Sequence, residues 1–325
     1  MASDCATLQF SPNDAYAMRI LTLVSASLSL LGSSFIILSF VCFPRLRTFS
    51  FKLIAFLSIC DFFASMSYVI GMVGHVQSGT PCHSNPSFAC FFSAHLSQFF
   101  NVATFLWIAV IGFNIYQVMV KGKGNSSRTV EQFEAKYHAF VWTISLVLML
   151  IPSLSGAFED TGLWCWISPE FPMLQFFCYY IILLLVFIAN CIVLGLVWAS
   201  LRNDGAGMSN VVTDRLMYFL IVFFILRCWS VFDRLNEYAT EERNQGLAYM
   251  HSIFSPLQGF GNALVFGTNR MVLNAWRNCG RRQGGQALDE TGDRELLGDN
   301  PNDWAAISLE NIEEDRMGDM QDVRW

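Results

Sequence analysis

Apolar residues dominate seven stretches of the chain, at about residues 18–43, 52–75, 89–120, 137–158, 171–200, 211–236 and 247–268, with short polar or basic segments between them. Each approaches or exceeds the ~20 residues that carry a helix across ~30 Å of hydrocarbon. The third and fifth are long enough to require tilt or extension past the bilayer. None shows the alternating polarity, over about ten residues, of a barrel strand. The pattern predicts an all-α membrane protein, a seven-transmembrane helix bundle spanning residues 18–268.

Composition agrees with that reading. Of 325 residues, 54% are hydrophobic and 14% charged, where a soluble domain would carry about a quarter charged. The first 17 residues are polar and include Asp4 and Asp14. A secretory signal would begin with a basic segment, so the first apolar run is expected to act as its own insertion signal. Lys and Arg sort by loop: Arg45, Arg47 and Lys52 follow the first run, and Lys121, Lys123, Arg128 and Lys136 the third. Arg202 and Arg215 follow the fifth, and Arg270, Arg277, Arg281 and Arg282 the seventh. The alternate loops hold only Arg19 and Arg243. Basic residues stay in the cytosol, so the N-terminus (1–17) is expected outside and the C-terminus inside, in a multi-pass protein of the plasma membrane. The sequon Asn125-Ser126-Ser127 then lies in the cytosol and should carry no glycan.

The net charge of −6 conceals an asymmetry. Residues 283–325 hold twelve acids and three arginines, which leaves the rest of the chain basic. That tail lacks sustained periodicity and reads as disordered. Before it, residues 269–282 set Met271, Val272, Ala275, Trp276 and Cys279 near one side of a helix with arginines between. This is the signature of a short amphipathic eighth helix in the membrane interface. Cys279 is a candidate for lipidation there.

The segment FPRLRTFSFKLIAFLSICDFF, residues 43–63, halts one apolar run with a basic turn and then sets Asp61 inside the next. Asp61 is about eleven residues into that run, so ~16 Å deep. A carboxylate at such depth costs ~2.5–3.5 kcal/mol and must turn inward to a partner. Either a fixed polar network holds it, or a centre that re-pairs when the bundle changes shape. LRTFSFKLIAFLSICDFF resembles the first-loop and second-helix signature of the slime-mould cyclic-AMP receptors and their plant relatives. The resemblance continues through FACFFSAHLSQFFNVATFLW, YHAFVW, GLWCW and SPLQGFGNALVFGTNR, in order over about residues 20–275.

The resemblance implies a G-protein-coupled receptor with a disulfide between Cys90 and Cys165. Cys5 and Cys82 also fall outside, so other pairings stay open. The remaining cysteines in apolar runs read as small hydrophobes. A pinned GLWCWISPEF loop would bring Trp164 and Trp166 over the mouth of the bundle, although Trp also favours interfaces for its own sake. His95, Gln98 and Asn101 are spaced along one side of the third helix. They, with Arg234, are the ligand-pocket candidates. Arg234 with Asn236 is similar to a family element at the outer end of the sixth helix, where Arg234 meets Asp233, Glu237 or an anionic ligand; Arg227 lies deeper in the same run. Asp61 and Asn262 form the candidate polar core. His75, His83, His95 and His251 fall toward the outer side, without the spacing of metal ligands.

At the inner end, FNIYQVMVKGKG replaces the D-R-Y triplet of many receptors with Asn114, Tyr116 and Gln117, a departure that the resembled family shares. Arg45, Arg47, Lys121, Lys123 and Arg128 are the candidate coupling face for a heterotrimeric G protein, and such basic loops also suit anionic lipid. No catalysis, cofactor, metal or nucleic acid is expected; the work is a population shift between two states. A retinal protein needs a lysine in the last helix, and none is there. A transporter or channel would favour repeated halves, and no repeat is found. The extracellular ligand is a small molecule, with a nucleotide among the candidates. A phosphate would want clustered positive charge, whereas acids outnumber Arg19, Arg234 and Arg243 on the outer face, so weak or absent cyclic-AMP binding is expected.

Overall fold

The computed structural model describes residues 10–78, 88–119, 133–203, 211–240 and 242–283. Helix α1 (Pro12–Cys42) starts where Ser11 accepts the Asp14 amide and Pro12 supplies a pre-set φ. It stops before Pro44, and Arg47 donates to the Val41 carbonyl at 2.8 Å. A single 3-10 turn, Pro44–Leu46, leads into α2 (Phe49–Ser78). Helix α3 (Phe88–Met119) is the axis of the bundle. Its apolar stretch is 72% buried, against 22% for α4 (Glu134–Leu154).

After α4 the chain departs from the all-helical expectation. Strands β1 (Phe158–Asp160) and β2 (Cys165–Ile167) pair antiparallel, Phe158 opposite Ile167 and Asp160 opposite Cys165. Gly162 holds φ 85° at the turn, a value that side chains disfavour, and its amide donates to Asp160 Oδ1 at 2.8 Å. Arg19 Nε of α1 donates to the Gly162 carbonyl at 2.8 Å, and a disulfide joins Cys165 to Cys90 at the start of α3. A hairpin satisfies its backbone internally, which a loop over an apolar bundle requires.

The fifth apolar run is α5 (Pro172–Gln175), a π-helical turn Phe176–Tyr180 and α6 (Ile181–Asn203). The extra residue of a π turn shifts the helical register, and here Tyr179 and Tyr180 are both buried. Helix α7 (Val211–Thr240) follows. The expected run at 247–268 is broken into α8 (Gln245–Phe254), a 3-10 turn Ser255–Leu257, and α9 (Gln258–Gly267). Pro256 lacks the N–H that a continuous helix needs. Among the described residues six helices are long and apolar enough to cross a membrane, and α8 and α9 are each too short. The protein is a helical, multi-pass membrane protein.

Helices α1 and α9 meet at two glycines. A Cβ on Gly32 would lie 2.8 Å from the Gly259 carbonyl oxygen, and the Gly259 amide donates to Ser29 Oγ at 2.9 Å. Ser65 Oγ of α2 reaches the same hydroxyl at 2.8 Å, so small residues let three helices touch. Residues through Leu273 form one compact unit, and a second begins at Asn274. Helix α10 (Arg270–Gln283) opens on Asn269, whose Oδ1 accepts the Met271 amide at 3.0 Å.

Candidate functional site

At the hairpin end of the bundle a narrow cleft is lined by Tyr68, Ser97, Trp164, Trp166, Tyr179, Tyr180 and His251. The disulfide and the Arg19 bond hold the hairpin from two sides, and β2 presents Trp166 inward. Its indole N–H donates to Gln98 Oε1 at 2.8 Å, and the ring meets Tyr179 and Tyr180 edge-on at 5.0 and 5.8 Å. Trp164 stays partly exposed and packs on the His251 ring at 5.2 Å. The two tryptophans therefore form walls of the cleft.

The spacing of His95, Gln98 and Asn101 does not put all three into it. Steps of three residues rotate by about 60° each around a helix, and the side chains diverge accordingly. His95 faces α4, with Nε2 2.8 Å from Ser153 Oγ and Nδ1 2.8 Å from the Phe91 carbonyl. Gln98 is fully buried and saturated, since its amide also donates to the carbonyls of Cys178 (2.9 Å) and Leu148 (3.3 Å). Only Asn101 turns to the centre.

Below the cleft runs a polar column. Asn101 Nδ2 donates to the Ser97 carbonyl at 2.9 Å and lies 3.5 Å from the Tyr68 hydroxyl, so it bonds the cleft floor. Its Oδ1 accepts Arg227 Nη2 at 3.0 Å. Arg227 Nη1 donates to Ser255 Oγ at 2.9 Å and to the Tyr179 hydroxyl at 3.4 Å, and the guanidinium lies 5.1 Å from the Phe105 ring centre. One turn further along α3, Thr104 donates to Asp61 Oδ1 at 3.1 Å, while Asn262 donates to Asp61 Oδ2 at 2.7 Å. Gln258 donates to Asn262 Oδ1 at 3.3 Å. The column thus links α2, α3, the π turn, α7 and α9.

A second cluster flanks the cleft. Asp233, fully buried, receives Arg243 Nη2 at 3.1 Å and lies 2.9 Å from His251 Nδ1. Arg234 donates to the Tyr180 hydroxyl at 2.8 Å and pairs with Glu237; it is held by its neighbours rather than presented to the cleft. Burial pushes the Arg243 guanidinium down from its ordinary value, Arg234 pushes the same way, and Asp233 and Glu237 oppose them. An arginine remains protonated through such shifts.

Arg45 and Arg47 are exposed at the opposite end of the bundle. Lys121, Lys123 and Arg128 lie outside the described residues, as do Cys5, Cys82, His83, Asn125 and the tail from residue 284; the side chain of His75 also does. Cys279 is a free, half-buried cysteine on α10. Sequence patterning did not single out Tyr68, Ser97, Thr104, Tyr179, Tyr180 or Ser255. Thr104 carried a signal, three residues from Asn101 in an apolar run, but serines, threonines and tyrosines are too common in such runs to stand out.

The sequence pattern of the slime mold cyclic AMP receptor family matches residues 10–282. The chain is 27% identical over 268 residues to "G-protein coupled receptor 1" of Arabidopsis thaliana, covering 77% of this chain and 78% of that one. It is 24% identical over 266 residues to "Cyclic AMP receptor-like protein A" of Dictyostelium discoideum, covering 82% and 68%. A stretch of 157 residues is 28% identical to "G-protein coupled receptor 157" of Homo sapiens, covering 47% and 44%.

Proposed function

Because the chain belongs to the slime mold cyclic AMP receptor family, as a receptor of the G-protein-coupled type and not an enzyme, we propose that it carries a signal from a ligand in the hairpin-end cleft to a heterotrimeric G protein at the other end. In this reading α8, the 3-10 turn and α9 together make the seventh crossing. The hairpin end faces outside with residues 1–17, and the tail is cytosolic, at the plasma membrane. Helix α10 lies in the inner interface as the eighth helix, with Cys279 available for acylation.

One observation carries the proposal. The cleft floor is hydrogen-bonded to a buried polar column that continues through Asn101 and Arg227 to the level of Thr104 and Asp61. Charged groups at mid-membrane depth are expensive, and where they persist with buried partners they mark functional positions. A ligand that draws Tyr68 or Tyr179 toward itself disturbs bonds that reach α7 and the 3-10 turn between α8 and α9. Binding with different affinity to two arrangements shifts their populations, and displacement at the far ends of the helices would expose a docking site beside Arg45, Arg47, Lys121, Lys123 and Arg128. The ligand is a small molecule. Relatives are named for cyclic AMP, which makes a cyclic nucleotide the first candidate to assay.

The test is nucleotide exchange on purified heterotrimeric G protein by the receptor in nanodiscs, compared with a form in which Lys121, Lys123 and Arg128 are changed to Gln. Exchange by the intact receptor that falls in the neutralised form supports coupling. Exchange no faster than with empty nanodiscs, across the G proteins of the same organism, rejects it.

A further inference from the structure

Asp61 and Arg227 bear opposite charges at neighbouring levels of the column, each only 2% exposed, and each bonds neutral groups instead of the other. Asp61 accepts from Thr104 and Asn262; Arg227 donates to Asn101, Ser255 and Tyr179, and its Nε has no hydrogen-bond partner. Two buried charges that do not touch realise only part of the attraction that offsets their lost hydration.

The register explains how close the alternative lies. Thr104 and Asn101 are three residues apart on α3, so the carboxylate and guanidinium levels differ by about 4.5 Å along that helix. Closing the gap takes a change of Arg227 rotamer together with a displacement of α7. The donor that Asp61 would release also has somewhere to go. Gln258 Oε1 is buried without a hydrogen-bond partner, and Gln258 already bonds Asn262 at 3.3 Å.

We propose that Asp61 and Arg227 form a direct ion pair in the second conformational state of this protein. Arg227 exchanges Asn101 and Tyr179 for the Asp61 carboxylate, while the Asn262 amide turns to Gln258. Tyr179 lines the cleft and Asn101 bonds Tyr68 on its floor, so a ligand that takes either hydroxyl weakens the resting partners of Arg227. The inference rests on the two-state receptor reading, but not on which protein docks at the other end.

The experiment follows α7 without any docking partner. An environment-sensitive fluorophore is placed at Tyr218→Cys, an exposed position on α7, in a background lacking the other free cysteines. Nanodisc samples of Asp61 and Arg227 intact, Asp61→Asn, Arg227→Gln and the double variant are compared over a temperature range. The intact protein should show two spectral populations. Each single variant should deplete the minor one by about tenfold, within the coupling range of contacting groups, and the double variant should deplete it no further. Independent, multiplying effects of the two substitutions, or one population at every temperature, would overturn the proposal. Should Arg227→Gln fail to fold, Arg227→Lys must retain part of the minor population and Arg227→Met lose it; equal behaviour of the two counts against the pair. Two coupled populations without G-protein exchange would keep the ion pair and reject the partner.

Discussion

Trp166 donates its indole N–H to Gln98 at 2.8 Å, fastening the hairpin to α3 a second time, about two turns along from the Cys90–Cys165 disulfide. The same glutamine bonds the Cys178 carbonyl in the π turn, which orders the two tyrosines beside the cleft. Three elements meet at one uncharged side chain.

Gln98→Leu therefore leaves the Trp166 donor buried and unpaired. A loss of about 1–3 kcal/mol is expected for such a group. Hydrogen exchange followed by mass spectrometry should show faster exchange across residues 158–167, with α1 and α2 unchanged. Protection equal to that of the unsubstituted protein would mean that the disulfide alone holds the hairpin.

The disulfide closes a loop of 75 residues in sequence separation. Removing it should cost about 2–4 kcal/mol. Cys90→Ala and the double variant Cys90→Ala/Cys165→Ala should lower the thermal midpoint in nanodiscs by the same amount, because either one removes the whole bond. A non-reducing peptide map of the intact protein should recover the two cysteines on one linked fragment.

The glycines at the α1–α9 contact are tested against a glycine in open space. A Cβ at Gly32 would come within 2.8 Å of the Gly259 oxygen, whereas one at Gly195 meets nothing within 4 Å. Gly32→Ala should destabilise by about 1–3 kcal/mol through overpacking. Gly195→Ala, on a helix, should be neutral or stabilise by up to about 1 kcal/mol. Thermal melts of the two variants side by side decide it; equal midpoints would show that α1 and α9 do not approach this closely.

Two ion pairs are expected to differ in weight. Lys52 lies 3.0 Å from Glu134, but the pair is about one-third exposed, and Lys52→Ala should cost no more than about 1 kcal/mol, less at high salt. Asp233 is fully buried against Arg243 and His251. Asp233→Ala leaves a buried cation short of its partner and should cost about 3–5 kcal/mol. The ratio of folded yield after detergent extraction, measured at two salt concentrations, separates the cases.

Much of the architecture was legible in residue order. The apolar runs, the basic turn after the first of them and the place of Asp61 inside the second follow from residue order. Gln98 shows where that stops. Its spacing from His95 and Asn101 suggested one pocket-facing row, yet the packing of α4 and the π turn drew the three side chains to different neighbours. The hairpin was not anticipated either, because GLWCWISPEF has no regular alternation, and the strand pairing depends on the tether to α3. Arg227 was visible as a charge in an apolar run, but its neutral company was not.

The chain by itself determined which segments are apolar enough to enter lipid, because hydrocarbon judges each segment of about 20 residues alone and demands that its backbone bond internally. Only the folded bundle decided the rest. The partners of Asp61 and Arg227 come from α3, α9 and other segments distant along the chain, and a helix that has buried its own backbone still leaves open which of its faces meets which neighbour. That choice is made by close packing of side chains, a property of the set of helices and of no one helix.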